Sequence, residues 1–406
     1  MNIVIIGGGI AGLTAAVALQ QQGLSATVYE AASTPRATGK GIWLPSNALQ
    51  VMARLGLAEA MYARGINIDR IELRNKNNTL LQHLDLASVR NRFGHGTLSI
   101  RRQDLHEQLQ TALAPASLVL GKRCQTLQEH ADGVEVTFAD GSEVSCEVVI
   151  AADGVRSLAR AHVTTHDTTH VTIHDNQPHV SPPQTNAPDT NAADTNLWRY
   201  AGQRCFLGIA NVRLPDGLHH TVREIWGGQH RFGFSAVTPT QVYWFAPIST
   251  AQDAPVPNDI KAFLQSAYKD FPEPVMALLE HTAATDIITT DLGDIGNVNT
   301  WYSPRVVLIG DAAHAMTPNL GQGGAQAIED AYMLAQALSQ HSLEHAFTSY
   351  VIRRQRKAQR ISLRARRFGQ LAHLGQPWST VRDACLRLIP NSVNQPALDS
   401  LYRLDG

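Results

Sequence analysis

Two glycine-rich segments hold the residues best suited to chemistry. In "IVIIGGGIAG" (Ile3–Gly12), Gly7, Gly9 and Gly12 have G-x-G-x-x-G spacing. The apolar run before them reads as a strand buried on both faces. The Ala- and Leu-rich stretch after them reads as a helix that Gly23 stops. A second strand, "SATVYE", ends in Glu30. Strand, glycine turn, helix, strand and acid in this order form a dinucleotide seat. The first glycine makes the turn, the second lets the backbone approach a pyrophosphate, and the third lets helix and strand pack closely. The free N–H groups of the helix would face the phosphates, and Glu30 would accept from ribose hydroxyls.

The second segment, "GDAAHAMTPNLGQGG", runs from Gly310 to Gly324. It follows a buried-strand pattern, "RVVLIGD", which ends in Asp311, well placed to bind a ribityl hydroxyl. Pro318 stiffens the turn. Gly321, Gly323 and Gly324 open a helix whose Ala327, Ile328, Ala331, Leu334 and Leu338 recur at helical spacing. Glycines here let backbone amides approach a flat group, and a helix N-terminus favours negative charge. A reduced isoalloxazine ring is such a target. FAD is long enough to rest its adenosine end on the first segment and its flavin end on the second. No second complete fingerprint exists, so only one dinucleotide has a permanent seat. Between the two lie "EVVIAADGVRSLAR", with Asp153, Gly154, Ser157 and Arg160, and "SIRRQDLHEQL", from which Arg102 could reach the pyrophosphate or the flavin face. His314 is explained equally well by turn packing and is assigned no chemistry.

Three motifs now stand in order: G-x-G-x-x-G at Gly7–Gly12, D-G-x-x-S-x-x-R at Asp153–Arg160 and G-D-x-x-x-x-x-x-P at Gly310–Pro318. R-x-D-L at Arg102–Leu105 joins them. Together they resemble the single-component FAD-dependent aromatic hydroxylases, flavoprotein monooxygenases of the para-hydroxybenzoate hydroxylase type. "PNLGQGGAQAIEDAYMLAQAL" resembles the branch holding urate hydroxylase, salicylate hydroxylase and zeaxanthin epoxidase. The resemblance implies an α/β fold, with a Rossmann-like FAD-binding domain interleaved with a mixed β-sheet substrate domain and a helical C-terminus. It implies FAD contacts from Gly7, Gly9, Gly12, Glu30, Ala31, Arg102, Cys124, Asp153, Asp311 and the Gly321, Gln322, Gly323, Gly324 and Ala325 stretch. The Asp153 motif serves both FAD and NAD(P)H in that family. The implied reaction is hydroxylation of a small aromatic or heteroaromatic substrate through a C4a-hydroperoxyflavin, with NAD(P)H as transient electron donor and O2 as co-substrate. Alternatives are an epoxidase or N-hydroxylase on the same scaffold, or a non-catalytic FAD-binding escort protein. The W-x-W pattern of flavin halogenases is absent.

The elements that position these residues follow from the same resemblance. The FAD-binding domain is expected over 1–70, 98–160 and 292–370, and the substrate domain over 71–97 and 161–291. A C-terminal helical segment is expected over 371–406. "REIWGGQHRFGFSAVTPTQVYWFAPI" reads as antiparallel hairpins with turns at Gly227-Gly228 and Pro239. In it Arg231 and Tyr243 match positions that hold and polarise substrate in urate hydroxylase-like relatives. Tyr243 and Trp244 are equally read as strand packing. "YAGQRCFLG" has Phe206-Leu207 where many relatives show Trp-Arg. Val163–Asn196, rich in Thr, Asn, Asp and Pro, reads as a disordered or loosely draped insertion. Its surroundings carry His162, His166, His170 and His174 at every fourth position, but poor helix formers intervene, and no metal site is expected. The basic run Arg353–Arg367 reads as the solvated face of a helix, or else as a contact surface.

The chain's 406 residues, 44% hydrophobic and 17% charged, suit two or three domains. A net charge of -1 gives no electrostatic case for nucleic acid. The four scattered cysteines form no C-x-x-C pair. No apolar run approaches the roughly 18 residues that a bilayer needs, and the chain opens on a strand without a basic leader. These features favour a cytoplasmic protein, with a homodimer left open.

Overall fold

The computed structural model describes residues 1–34, 40–165 and 197–404. Five parallel strands run in the order Val306–Leu308, Val148–Ala151, Ile3–Ile6, Ala26–Glu30, Leu118–Leu120. Ile3, Val4, Ile5 and Ile6 are buried, as a central strand of a parallel sheet requires. Helix Ile10–Gln21 leaves this strand through the glycine turn and packs on helix Gly323–Gln340.

A second, seven-stranded sheet has the order Ile288–Asp294, Arg199–Ala210, Gln241–Ser249, Arg231–Thr238, Thr221–Trp226, Arg70–Asn75, Leu80–Asp85. It is mixed, because Thr221–Trp226 pairs in parallel with Arg70–Asn75 while its other pairs are antiparallel. Phe206, Phe232, Phe234 and Trp244 fill a core that also takes Leu264 and Tyr268 from helix Ile260–Tyr268. A three-stranded sheet of Gly41–Leu44, Thr97–Arg101 and Ile66–Ile68 joins the two halves. From it, Trp43 Nε1 donates to Ser235 Oγ at 3.0 Å, and Ser99 Oγ lies 2.9 Å from the same hydroxyl.

Helix Leu158–Thr165 and strand Ile288–Asp294 run across the 160/161 and 291/292 limits expected from the sequence. The insertion expected over 163–196 is corrected at its start. Val163 is buried, and its packing carries the helix on to Thr165, with Thr164 and Thr165 exposed. The rest of that stretch, with His166, His170 and His174, lies outside the described residues. His162 stands 3.0 Å from Glu129 Oε2.

The basic run lies on helix Leu343–Ala372. Arg353, Arg356, Arg360, Arg364 and Arg367 are exposed, as a solvated face would be. Arg354 is not, and here the solvated-face reading is corrected: it is completely buried. Its Nε donates to Asp330 Oδ1 at 2.8 Å, its Nη1 to Glu329 Oε2 at 2.5 Å and its Nη2 to Gln326 Oε1 at 2.6 Å. Burial alone would raise the Asp330 pKa. The charges and hydrogen bonds of His314 and Arg354 outweigh it and hold the carboxyl below its usual range. Asp330 is therefore ionised in the fold.

Removing one partner from a buried ion network strands the others. Arg354→Leu is expected to lower unfolding free energy by about 3–5 kcal/mol, against within about 0.5 kcal/mol for exposed Arg356→Leu. Chemical denaturation of both variants checks this. Equal midpoints would contradict it.

Candidate active site

The glycines of the first turn serve different neighbours. Gly7 has φ +103°, and a Cβ there would lie 2.3 Å from Ala152 O. A Cβ on Gly12 would lie 2.0 Å from Gly7 O. Both are demanded by the protein's own backbone. Gly9 is different: an added Cβ meets nothing within 4 Å, and Gly9 lines a cavity of about 440 Å³. The space it keeps clear lies outside the protein's own packing. Helix Ile10–Gln21 begins there without a side-chain cap, so its first amides stay available.

Glu30 accepts from Gly8 N at 2.7 Å and Ala32 N at 2.8 Å, one bond to each oxygen. It clamps the turn and keeps a lone pair on each oxygen for a further donor. Ala31 lies between these contacts. Of the paired arginines, Arg101 is held bidentately by Asp104 at 2.7 and 2.8 Å. Arg102 lines the cavity, and its guanidinium has no hydrogen bond among the described residues.

Asp153 caps helix Leu158–Thr165. Its Oδ2 accepts from Leu158 N and Ala159 N at 2.9 and 3.2 Å, while its buried Oδ1 has no partner among the described residues. Burial pushes its pKa up, against the hydrogen bonds from Ser157, Ala159 and Leu158. Burial also pushes the Cys124 thiol up to about 12, the charge of Asp153 adding to it, so Cys124 stays protonated. Sequence reasoning missed His106. Its Nε2 is buried and has no partner among the described residues, and burial, with the charge of Arg102, lowers its pKa to about 4 against the pull of Glu30.

The second glycine segment touches the first. Gly310 has φ +60°, and a Cβ on it would lie 3.0 Å from Ala11 Cβ and 3.1 Å from Ala327 Cβ. Ala11 belongs to the first helix and Ala327 to helix Gly323–Gln340, so the two segments meet at this glycine. Asp311 follows, exposed and lining the cavity. A single turn, Pro318–Leu320, ends at Gly321, whose φ is +62°. Gln322 then precedes helix Gly323–Gln340 without capping it. Its Oε1 accepts instead from Asn47 Nδ2 and Gln326 Nε2. Asp330 Oδ2 accepts from Gly310 N at 2.9 Å and sits 2.5 Å from His314 Nε2. His314 is thus a buried strut of the loop.

On the opposite wall, Tyr243 packs so closely on Gly41 that a Cβ there would lie 2.3 Å from its ring. Its hydroxyl has no hydrogen bond among the described residues, and burial pushes its pKa upward. Arg231 is 1% exposed and fully engaged: Nε donates to Glu224 Oε1 at 2.6 Å and Nη1 to Asn319 Oδ1 at 2.8 Å. Trp43, Leu207, Phe245, Leu292 and Met316 supply apolar surface.

One cavity therefore gathers Gly9, Arg102, Asp311, Gly321, Gly323, Gly324, Arg231 and Tyr243. Gly7, Gly12, Glu30, Ala31, Cys124, Asp153, Gln322 and Ala325 lie outside its lining. Glu224 and Asn319 were not singled out from sequence. Strand alternation held the signal for Glu224. Trp226 pairs with Arg231 across the hairpin, and Glu224 lies two residues earlier on the same face. The space above Gly9, the open amides at Gly323 and Gly324, and the unpartnered Asp153 Oδ1 and His106 Nε2 fit an elongated polar cofactor with a flat end. The donors present suit FAD.

Comparisons with known proteins agree. The family model described as "FAD binding domain" matches residues 1–365. Aurachin C monooxygenase/isomerase of Stigmatella aurantiaca is 30% identical, over 96% of this chain and 94% of its own. The 2-heptyl-3-hydroxy-4(1H)-quinolone synthase of Pseudomonas aeruginosa is also 30% identical, over 97% and 95%. Among solved structures, Klebsiella pneumoniae HpxO complexed with FAD and uric acid superposes with a TM-score of 0.85 at 26% identity, covering 99% of this chain and 96% of that one.

Because Gly9 faces ligand space alone, Gly9→Ala should leave the apo-protein's melting temperature unchanged and weaken FAD binding by about tenfold or more, about 1.4 kcal/mol. Titration of flavin fluorescence checks this. Gly12→Ala should instead lower the melting temperature. Unaltered FAD affinity in Gly9→Ala would contradict the assignment.

Proposed function

The chain belongs to the FAD-binding domain family of flavoprotein monooxygenases, and we propose that it hydroxylates a small heteroaromatic ring of the 4-quinolone kind. The observation that carries this reading is the cavity itself. A wall from the mixed sheet, apolar at Leu207, Phe245 and Leu292 and polar at Tyr243, Arg231 and Glu224, faces the glycine segment 321–324 across the cavity. Quinolone-type rings are favoured because one relative spanning nearly the whole chain is a 2-heptyl-3-hydroxy-4(1H)-quinolone synthase.

FAD, when bound, supplies the redox and oxygen chemistry, with NAD(P)H and O2 as co-substrates. The protein's part is binding, orientation and exclusion of water. Gly9 and the amides after it would receive the pyrophosphate, with Arg102, unpaired among the described residues, lining the same cavity. Asp311 would accept from a ribityl hydroxyl. The uncapped start of helix Gly323–Gln340 would place the amides of Gly324 and Ala325 against negative charge at the ring edge. Trp43 and Phe245, in edge contact at 5.7 Å, help keep the substrate side dry. The Tyr243 hydroxyl, its pKa raised by burial, stays protonated through the neutral and mildly alkaline range. It would donate to a ring oxygen of the substrate, holding the ring in place.

Two outcomes follow. FAD-loaded protein, screened with phenols, purines and 4-quinolones under NADH or NADPH, should give a product one oxygen heavier from a 4-quinolone. NAD(P)H oxidation yielding only hydrogen peroxide across the panel would contradict this. Tyr243→Phe should lower kcat/KM by about 3- to 10-fold, the worth of one neutral hydrogen bond, with FAD retention unchanged. Steady-state kinetics beside the flavin spectrum check it.

A further inference from the structure

The charged part of the substrate wall is one cluster on one hairpin face. Glu224 Oε1 accepts from Trp226 Nε1 and from Arg231 Nε, each at 2.6 Å, and lies 2.5 Å from Arg231 Nη2 in an ion pair. The remaining Arg231 nitrogen, Nη1, is taken by Asn319 Oδ1. Asn319 is itself fixed, since its Nδ2 donates to Ala365 O at 3.2 Å and a Cβ on Gly369 would lie 2.2 Å from that nitrogen. Arg231 therefore cannot swing to a new anion without breaking a buried ion pair.

Glu224 is spent on one side only. Its Oε2 has no hydrogen bond among the described residues, and Glu224 lines the cavity. Its carboxylate cancels the charge of Arg231. What the wall offers a ligand is an open acceptor beside a neutralised cation. A carboxylated ring would bring a second anion against Glu224, and the cation beside it, Arg231, is already paired; Arg102, which also lines the cavity, belongs to helix Arg102–Thr111 and would face the cofactor phosphates. Like-charge juxtaposition in a desolvated pocket costs several kcal/mol. An uncharged ring with an N–H or O–H meets an acceptor whose other oxygen is locked in position.

We propose that Glu224 is the specificity-determining residue of this site. It cancels the charge of Arg231 and offers Oε2 to an N–H or O–H donor, so that the cavity takes uncharged heteroaromatic rings and rejects carboxylated ones. This rests on the proposed function only for placing the substrate ring in this cavity.

The test is equilibrium binding to the FAD-loaded protein, read from perturbation of the flavin absorbance without NAD(P)H or turnover. Three probes share one ring system: 2-methyl-4-quinolone, its 1-methyl derivative, and 4-hydroxyquinoline-2-carboxylate. The wild-type protein should bind the first at least about tenfold tighter than either of the others. Glu224→Gln keeps an acceptor for Trp226 and Arg231 but removes the charge. It should shrink the preference for 2-methyl-4-quinolone over the carboxylate by about tenfold or more. A wild-type preference for the carboxylate would overturn the proposal, because Glu224 would then only orient an anion-binding Arg231. A preference unchanged within about twofold in Glu224→Gln, or no perturbation by any probe, would overturn it as well. The wild-type ranking stands as evidence even if the variant does not fold. If the predicted ranking holds but no quinolone is hydroxylated, the reaction reading fails and the role of Glu224 survives.

Discussion

The buried guanidinium of Arg354 holds the catalytic half of the cavity in shape. It binds Asp330, Glu329 and Gln326 at once, and those three reach both ends of the second glycine segment. Asp330 takes the amide of Gly310 at one end. Gln326 and Asn47, bonded to Glu329, take Gln322 at the other. A loop of glycines has few side chains to anchor itself, so it must be fixed from behind. Burying these charges is costly, and only good geometry and saturated hydrogen bonding offset that cost. Here the fixed loop keeps its outward amides free.

A second constraint makes one site out of two distant segments. Gly310 fits between Ala11 and Ala327 with no room for a side chain, so the first helix and the helix Gly323–Gln340 share a contact at the point where the turns meet. The mixed sheet is then joined through Ser235, which receives Trp43 and meets Ser99. These contacts fix the distance between the glycine segment and the wall bearing Tyr243, Arg231 and Glu224. A cofactor laid across both turns would have its flat end facing that wall.

Much of this was legible in the residues. The glycine turns, each between a buried strand and a helix, and the hairpins around Gly227-Gly228 follow from local pattern, and local pattern is what folds them. Burial of Arg354 was not legible in the same way. Its neighbours in the basic run are solvated, and its counter-charges lie 24 and 25 residues away on another helix. The spacing of Tyr350, Arg354, Ala358, Ile361 and Ala365 did mark a buried stripe, but composition drew the reading toward solvent. The roles of Glu30 and Arg231 were half legible. Sequence placed them at the right ends of strands, yet Glu30 clamps the turn and Arg231 is neutralised by Glu224, which depends on partners that only the fold brings near. Asp153 was marked by its motif, but that its Oδ1 is left unpartnered among the described residues, and that His106 joins it, depends on burial that only the fold creates.

We propose that both glycine segments hold one FAD molecule. The most direct test is a crystal structure of the chain with FAD bound. The adenosine ribose is expected beside Glu30, the pyrophosphate over Gly9 and the isoalloxazine edge on the amides of Gly323, Gly324 and Ala325, with Arg231 still paired to Glu224. An isoalloxazine ring seated away from helix Gly323–Gln340, or a separate nucleotide on the 310–324 segment, would contradict it.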